Sequence, residues 1–135
     1  MRVLDSEKIR MITTFETITG TSVHDCVYSP ETKTIFFIVE EGLLGKAIGK
    51  NGQNINIAKK MLKKNIILFE WSSEINKFIK NLIPEAKSIK FVGDSVLISV
   101  DAKLKPMVIG KGGSKLKVIR EILERNANIS EVRIV

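Results

Sequence analysis

Ile48-Gly49-Lys50-Asn51-Gly52 and Ile109-Gly110-Lys111-Gly112-Gly113 are two copies of one pattern, and an offset of 61 carries the first onto the second. The offset holds on either side of the glycines. It places Leu43 on Leu104, Ile55 on Leu116, Ile57 on Val118, Leu62 on Leu123 and Asn65 on Asn126. An internal repeat outranks any local motif as a guide to architecture, because each repeat is one folding unit used again. The chain of 135 residues therefore reads as two small domains, 1–71 and 72–135. Each holds roughly 60–70 residues, a size at which a lone hydrophobic core is marginal. The two halves are accordingly expected to pack on each other.

Charge follows the repeat. Residues 43–64 contain six lysines (46, 50, 59, 60, 63 and 64) and no acid. Residues 102–125 contain seven basic residues against Glu121 and Glu124, so a chain of net charge +7 keeps a remainder of −4. Positive charge concentrated on two repeated units is the footprint of a polyanionic partner rather than of general solubility. The single cysteine, Cys26, rules out an internal disulfide and fits a reducing cytoplasm. There is no Cys/His cluster for zinc and no apolar run near the roughly 18 residues a membrane span needs. Residues 1–10 carry charge where a signal peptide requires its apolar segment.

Taken in order, Asp5 or Ser6 caps a helix whose Ile9, Ile12, Phe15 and Ile18 keep helical spacing up to Gly20. His24–Tyr28 is a short strand. Lys33–Glu40, rich in β-branched and aromatic residues, reads as a buried strand. A brief helix over 42–48 leads into the glycine turn. A lysine-rich helix follows over 52–64, with Ile55, Ala58 and Leu62 inward, joined by Ile57 and Met61. Asn65 is the expected left-handed stop, and 66–70 is a strand. The order then restarts. Ser72 or Ser73 caps a helix carrying Ile75, Phe78, Ile79 and Leu82, and Pro84 ends it. Strands over 87–92 and 95–101, a short helix over 104–109 with Pro106 in its first turn, a helix over 114–125 and a strand over 129–135 complete the chain.

A short helix meeting a longer one at Gly-x-x-Gly brings a helix N-terminus to the surface beside little side-chain bulk. Amide N–H groups there favour anions, and the missing Cβ atoms admit a sugar-phosphate chain closely. Lys50 and Lys111 add positive charge at the same point. Ile48 and Ile109 are expected to anchor the short helices in the core while offering an apolar edge beside the strand's path. The segments IGKNGQNI (48–55) and VIGKGGSKL (108–116) resemble the I-G-x-x-G-x-x-[IL] signature of KH domains. That resemblance implies a clamp for about four single-stranded nucleotides, read along an apolar groove. The element order resembles the type II arrangement. The fold class it implies is α+β, two tandem type II KH domains, each a three-stranded mixed sheet with three helices on one face.

Two such domains in succession, with LGKAIGKNGQNINIAKKML (44–62) in the first, resemble the tandem KH unit of NusA proteins, most closely the short archaeal form. They match neither the polymerase-binding region nor the oligonucleotide-binding barrel of the bacterial form. The resemblance implies a non-enzymatic cytoplasmic protein that grips single-stranded RNA, the nascent transcript, in transcription termination or antitermination, with RNA polymerase as a further partner. The alternative is a KH protein of ribosome assembly or RNA processing. On either reading Gly49, Lys50, Asn51 and Gly52, with Gly110, Lys111, Gly112 and Gly113, hold backbone. Lys46, Lys60, Lys115 and Arg120 are candidate phosphate contacts, and Ile48, Ile55, Ile109 and Leu116 line the grooves. Gly112 in place of Asn51 makes the second clamp the more flexible one.

Other chemistries fit less well. A phosphate-binding loop of the G-x-x-x-x-G-K-[ST] type fails, because Asn51 and Gly112 stand where a hydroxyl belongs. His24 and Cys26 would share one face of a strand but lack an orienting partner, so catalysis is not expected. No cofactor, metal or small-molecule substrate is implied. Phe69 and Trp71, just before the second half's helix, read as an apolar seam between the halves rather than as a stacking platform.

Overall fold

The computed structural model describes residues 5–135. The opening residues, on which part of the signal-peptide argument rests, lie outside the described ones. The chain is α+β and divides into two compact units, the first ending at Ser72 and the second beginning at Ser73. No helix among the described residues is long and apolar enough to cross a membrane.

The first unit opens with α1 (Ser6–Thr19). Its N-terminus is capped by Asp5, whose carboxylate accepts from Lys8 N–H at 2.8 Å, and Gly20 ends it in the left-handed conformation. Strands β1 (Val23–Ser29) and β2 (Thr34–Val39) form an antiparallel pair. Next come α2 (Leu44–Ile48), a single 3₁₀ turn, α3 (Gln53–Leu62) and β3 (Asn65–Glu70), which lies parallel to β2. The sheet order β1-β2-β3 puts β2 in the centre. All six of its residues are buried, as its uninterrupted apolar run requires. Alternate residues Ile35, Phe37 and Val39 meet Met11 and Phe15 of α1, Ala47 of α2 and Ala58 of α3. All three helices thus cover one face. Phe15 and Phe37 stack with centroids 4.2 Å apart.

The second unit repeats the plan: α4 (Ile75–Leu82), β4 (Ser88–Val92), β5 (Ser95–Ser99), α5 (Lys105–Ile109), a 3₁₀ turn, α6 (Ser114–Ala127) and β6 (Glu131–Ile134). Its sheet is again mixed, antiparallel between β4 and β5 and parallel between β5 and β6. Val96, Ile98, Ile119, Ile122, Leu123 and Val132 are fully enclosed. Edge strand β4 differs from its counterpart β1. Four of its five residues are exposed, Phe91 and Val92 among them.

Several expectations change. On α1 the inward residues are Met11 and Phe15, whereas Ile9 is exposed. On α3, Ile57 and Met61 face outward, the latter 65% exposed. The helix seats only Ala58 fully, a residue small enough for close approach. Left-handed Lys63, not Asn65, ends α3, and Asn128 ends α6. Asn65 already pairs with Thr34, and the equivalent pair in the second unit is Ser95 with Glu131. The offset therefore grows beyond 61 once the longer α6 has been passed. Glu74, not a serine, occupies the N-cap position of α4. A β-bulge between Val23 and Asp25 takes His24 out of alternation. His24 Nδ1 lies 3.1 Å from Glu40 Oε1 and its ring stacks on Trp71 at 4.0 Å, while Cys26 is sealed in the core. His24 does have an orienting carboxylate, but no shared face with the thiol. Phe69 stacks on Phe36 at 6.1 Å, so Phe69 and Trp71 both have ring partners within the first unit.

Candidate nucleic-acid interface

Each glycine turn is built from the residue before it. Ala47 and Val108 are the buried residues of α2 and α5, at 0% and 1% exposure. Ile48 and Ile109 were expected to anchor these helices but do not. Ile48 is 37% exposed and Ile109 half-buried. On a five-residue helix only one position can point fully inward, and here it is the penultimate one. The isoleucines are left as an apolar edge beside each turn. Ile55 is partly buried against the core, and Leu116 is buried outright.

The two turns share one backbone conformation. Gly49 has φ 79°, ψ 168° and Gly110 has φ 80°, ψ 170°. Asn51 (55°, 28°) matches Gly112 (62°, 20°), and Gly52 (72°, 16°) matches Gly113 (77°, 10°). The first glycine is obligatory on two counts. Its φ/ψ pair belongs to a region open in practice only to glycine. A Cβ on Gly49 would also stand 2.9 Å from the backbone nitrogen of Asn54, and one on Gly110 2.9 Å from that of Lys115. At Gly112, by contrast, a Cβ would meet nothing within 4 Å. Asn51 shows that a side chain can stand there, since asparagine tolerates the left-handed region.

Hydrogen bonding sorts the donors. Gly52 N–H is turned onto the Gly49 carbonyl at 3.1 Å, and Gln53 N–H onto that of Lys50; Gly113 and Ser114 repeat this on Gly110 and Lys111. Among the described residues, no backbone carbonyl takes the N–H of Lys50, Asn51, Lys111 or Gly112. These four residues are exposed, and Gly52 and Gly113 are half-buried. Consecutive exposed amides without a backbone acceptor, beside a lysine, are the donor arrangement that anion-binding turns use.

The other candidates divide. Lys60 is exposed on α3. Lys46 lies over the end of α1, its Nζ 3.6 Å from where a Cβ on Gly20 would sit. That is the negative end of a helix dipole, a sufficient role for its charge. Lys115 is half-buried, its stem packed behind Gly110. Its counterpart Asn54 ties the turn down by donating to the Lys46 carbonyl at 2.9 Å. Arg120 sends Nε and Nη2 to the Val132 carbonyl at 3.3 and 3.2 Å. One row of residues was named only through Arg120. Positions four and seven after the residue that caps a helix return to its side, which puts Asn56 and Lys59 of α3 in line with its N-cap, Gly52. Lys117, Arg120 and Glu124 of α6 form the same row from its N-cap, Gly113. Counting from the second glycine, rather than from the lysines, identifies it. Among the described residues no group of three or more His, Cys, Asp or Glu could hold a metal ion.

No family model matches the chain. A probable transcription termination protein NusA from Methanocaldococcus jannaschii is 33% identical over 138 residues, covering 98% of this chain and 74% of that protein. A protein of the same name from Methanococcus vannielii is 34% identical, covering 100% of this chain and 81% of its own length. The crystal structure of APE1850 superimposes with a TM-score of 0.80 at 33% identity, over 98% of this chain and 100% of that one.

Proposed function

This chain belongs to the archaeal NusA family, and on that premise we propose that it is a non-enzymatic protein that binds single-stranded RNA in transcription termination or antitermination. We read its two units as tandem type II KH domains, residues 1–71 and 72–135, each gripping the RNA backbone with its Gly-x-x-Gly turn. One observation carries the reading. Two exposed turns of matching backbone conformation, bare of bulk and with amides that no backbone carbonyl takes, each open a lysine-bearing helix. Phosphate is the ligand that this combination suits, and a turn used twice in one chain suits a ligand that is itself a repeat.

In this reading Lys50, Asn51, Lys111 and Gly112 meet phosphate directly. Gly49, Gly52, Gly110 and Gly113 set the backbone path, and Ile48 and Ile109 border the bases. Lys60 adds peripheral charge. The nascent transcript is the partner that family membership favours, with RNA polymerase beside it. No cofactor takes part.

The test replaces Lys50, Asn51, Lys111 and Gly112 together with aspartate. Aspartate tolerates the left-handed conformation at 51 and 112, and all four positions are exposed, so the fold should survive. RNA binding should be lost by more than about a hundredfold, because four acids then face phosphate. A variant with native circular dichroism and wild-type RNA affinity would refute the assignment.

A further inference from the structure

The two units differ between the helix that follows each glycine turn and the last strand, and the difference is chemical. In a parallel ladder, alternate residues turn their N–H and C=O groups toward the neighbouring strand. Val135 N–H donates to Ile98, and Val100 N–H donates to Val135. The intervening Val132 therefore directs its carbonyl to the outer edge of β6. By the same parity Asn65 and Trp71 bond inward to Lys33 and Val39, which leaves the Ile66 carbonyl on the outer edge of β3.

Val132 and Ile66 are equivalent, but their surroundings are not. Arg120 sits seven residues beyond Gly113, on the same face of α6 and about 10 Å along its axis. It covers the Val132 carbonyl with Nε and Nη2. Lys59 holds the corresponding place on α3 and has no planar fork, and no bond to Ile66 joins it among the described residues. The first unit thus offers an acceptor at the outer edge of β3. In the second, a guanidinium has converted that acceptor into a donor.

We propose that Arg120 is the base-selecting residue of the second unit and that it reads the O6/N7 edge of a guanine in the bound strand. Two of its five N–H groups are spent on Val132, through Nε and one hydrogen of Nη2. Both hydrogens of Nη1 and the second of Nη2 remain, and the end of the fork carries a parallel donor pair. A guanine presents two adjacent acceptors at matching spacing, the commonest base contact of arginine. The Val132 bond holds the fork in place before RNA arrives, so little side-chain freedom is lost on contact. An adenine would set its N6 amino group against these donors and is disfavoured.

The proposal rests on the RNA-binding reading above, and its test separates the two. The full chain carrying Lys50→Asp and Asn51→Asp, which disables the first turn, is titrated with uridine-rich nine-nucleotide RNAs. Each RNA bears one central purine: guanine, adenine or 7-deazaguanine. Guanine should bind about tenfold more tightly than adenine, within the usual range for one bidentate pair, and 7-deazaguanine should lose most of that preference. Adding Arg120→Lys keeps a donor for Val132 but removes the fork. It should abolish the preference by weakening the guanine RNA about tenfold, to the level of the adenine RNA, with the salt slope unchanged. A preference that survives Arg120→Lys overturns the proposal. So does an equal loss on all three RNAs with a shallower salt dependence, which would make Arg120 a phosphate contact. Failure of the wild-type chain to bind any of these RNAs overturns both readings.

Discussion

Replacing Gly49 with alanine tests whether the first turn is held by steric necessity. At φ 79° and ψ 168° a non-glycine residue carries about 1–3 kcal/mol of backbone strain. The new Cβ would also stand 2.9 Å from the Asn54 backbone nitrogen and 2.8 Å from Asn54 Cγ. The nitrogen cannot swing aside as a side-chain tip would, so relief must come from shifting the start of α3, at a further cost of about 1–3 kcal/mol. The expected destabilisation is about 3 kcal/mol. A unit of this size has about 4–10 kcal/mol in all, so the loss is a large share of it. The lone tryptophan, Trp71, stacks on His24 in the same unit, and its fluorescence reports this unit's unfolding. With a slope of about 1 kcal/mol per molar urea, the midpoint should fall by about 2–3 M. Asn51→Gly is the control. It copies the second turn and should cost at most about 1 kcal/mol, through the entropy of the unfolded chain. A Gly49→Ala midpoint within about 0.5 M of wild type would refute the argument that the turn is sterically fixed.

Other outcomes can be checked with less labour. RNA affinity should fall with salt at a logarithmic slope near −0.7 for each phosphate neutralised; a flat response in a filter-binding series would show that the lysines are only surface. Cys26 is completely buried and should stay unreactive toward an aromatic disulfide reagent until urea unfolds the first unit; rapid labelling of the native protein would contradict its placement. Phe37→Ala removes a ring with 0% exposure that stacks on Phe15. The loss should be about 3–5 kcal/mol, read by the same tryptophan transition, and a cost below about 1 kcal/mol would contradict the packing.

How much of this was legible in the sequence depended on the size of the signal. The paired glycine turns and the fully buried β2 follow from repetition and from a run of large apolar residues, whereas the mixed sheets came with the resemblance to type II KH domains. Anchoring by Ala47 and Val108 was hidden, because a neighbouring isoleucine outweighs alanine or valine in any reading of hydrophobicity. Ile57 and Met61 widened the apparent stripe of α3 beyond what a close helix–sheet contact, centred on Ala58, can accept. Lysine carries no turn preference, so the left-handed Lys63 was invisible and Asn65 took its place in the expectation. The bulge at His24 broke an alternation that the residues themselves do not interrupt. Arg120 was picked out for its charge, but its position over a backbone carbonyl needs the register of β6. Parity along a strand becomes available only once pairing is known.

The exposed edge of β4 bears on how the protein behaves in concentrated solution. A sheet margin with unpaired main-chain groups and apolar tips such as Phe91 and Val92 invites another molecule to add a strand. Here the margin is five residues long, and Lys90 interrupts the apolar sequence. Two molecules approaching along this margin would bring like charges together before enough main-chain bonds had formed to compensate. The same lysine thus keeps a sticky border from becoming a template, a task that falls to one residue of an edge strand and to neither glycine turn.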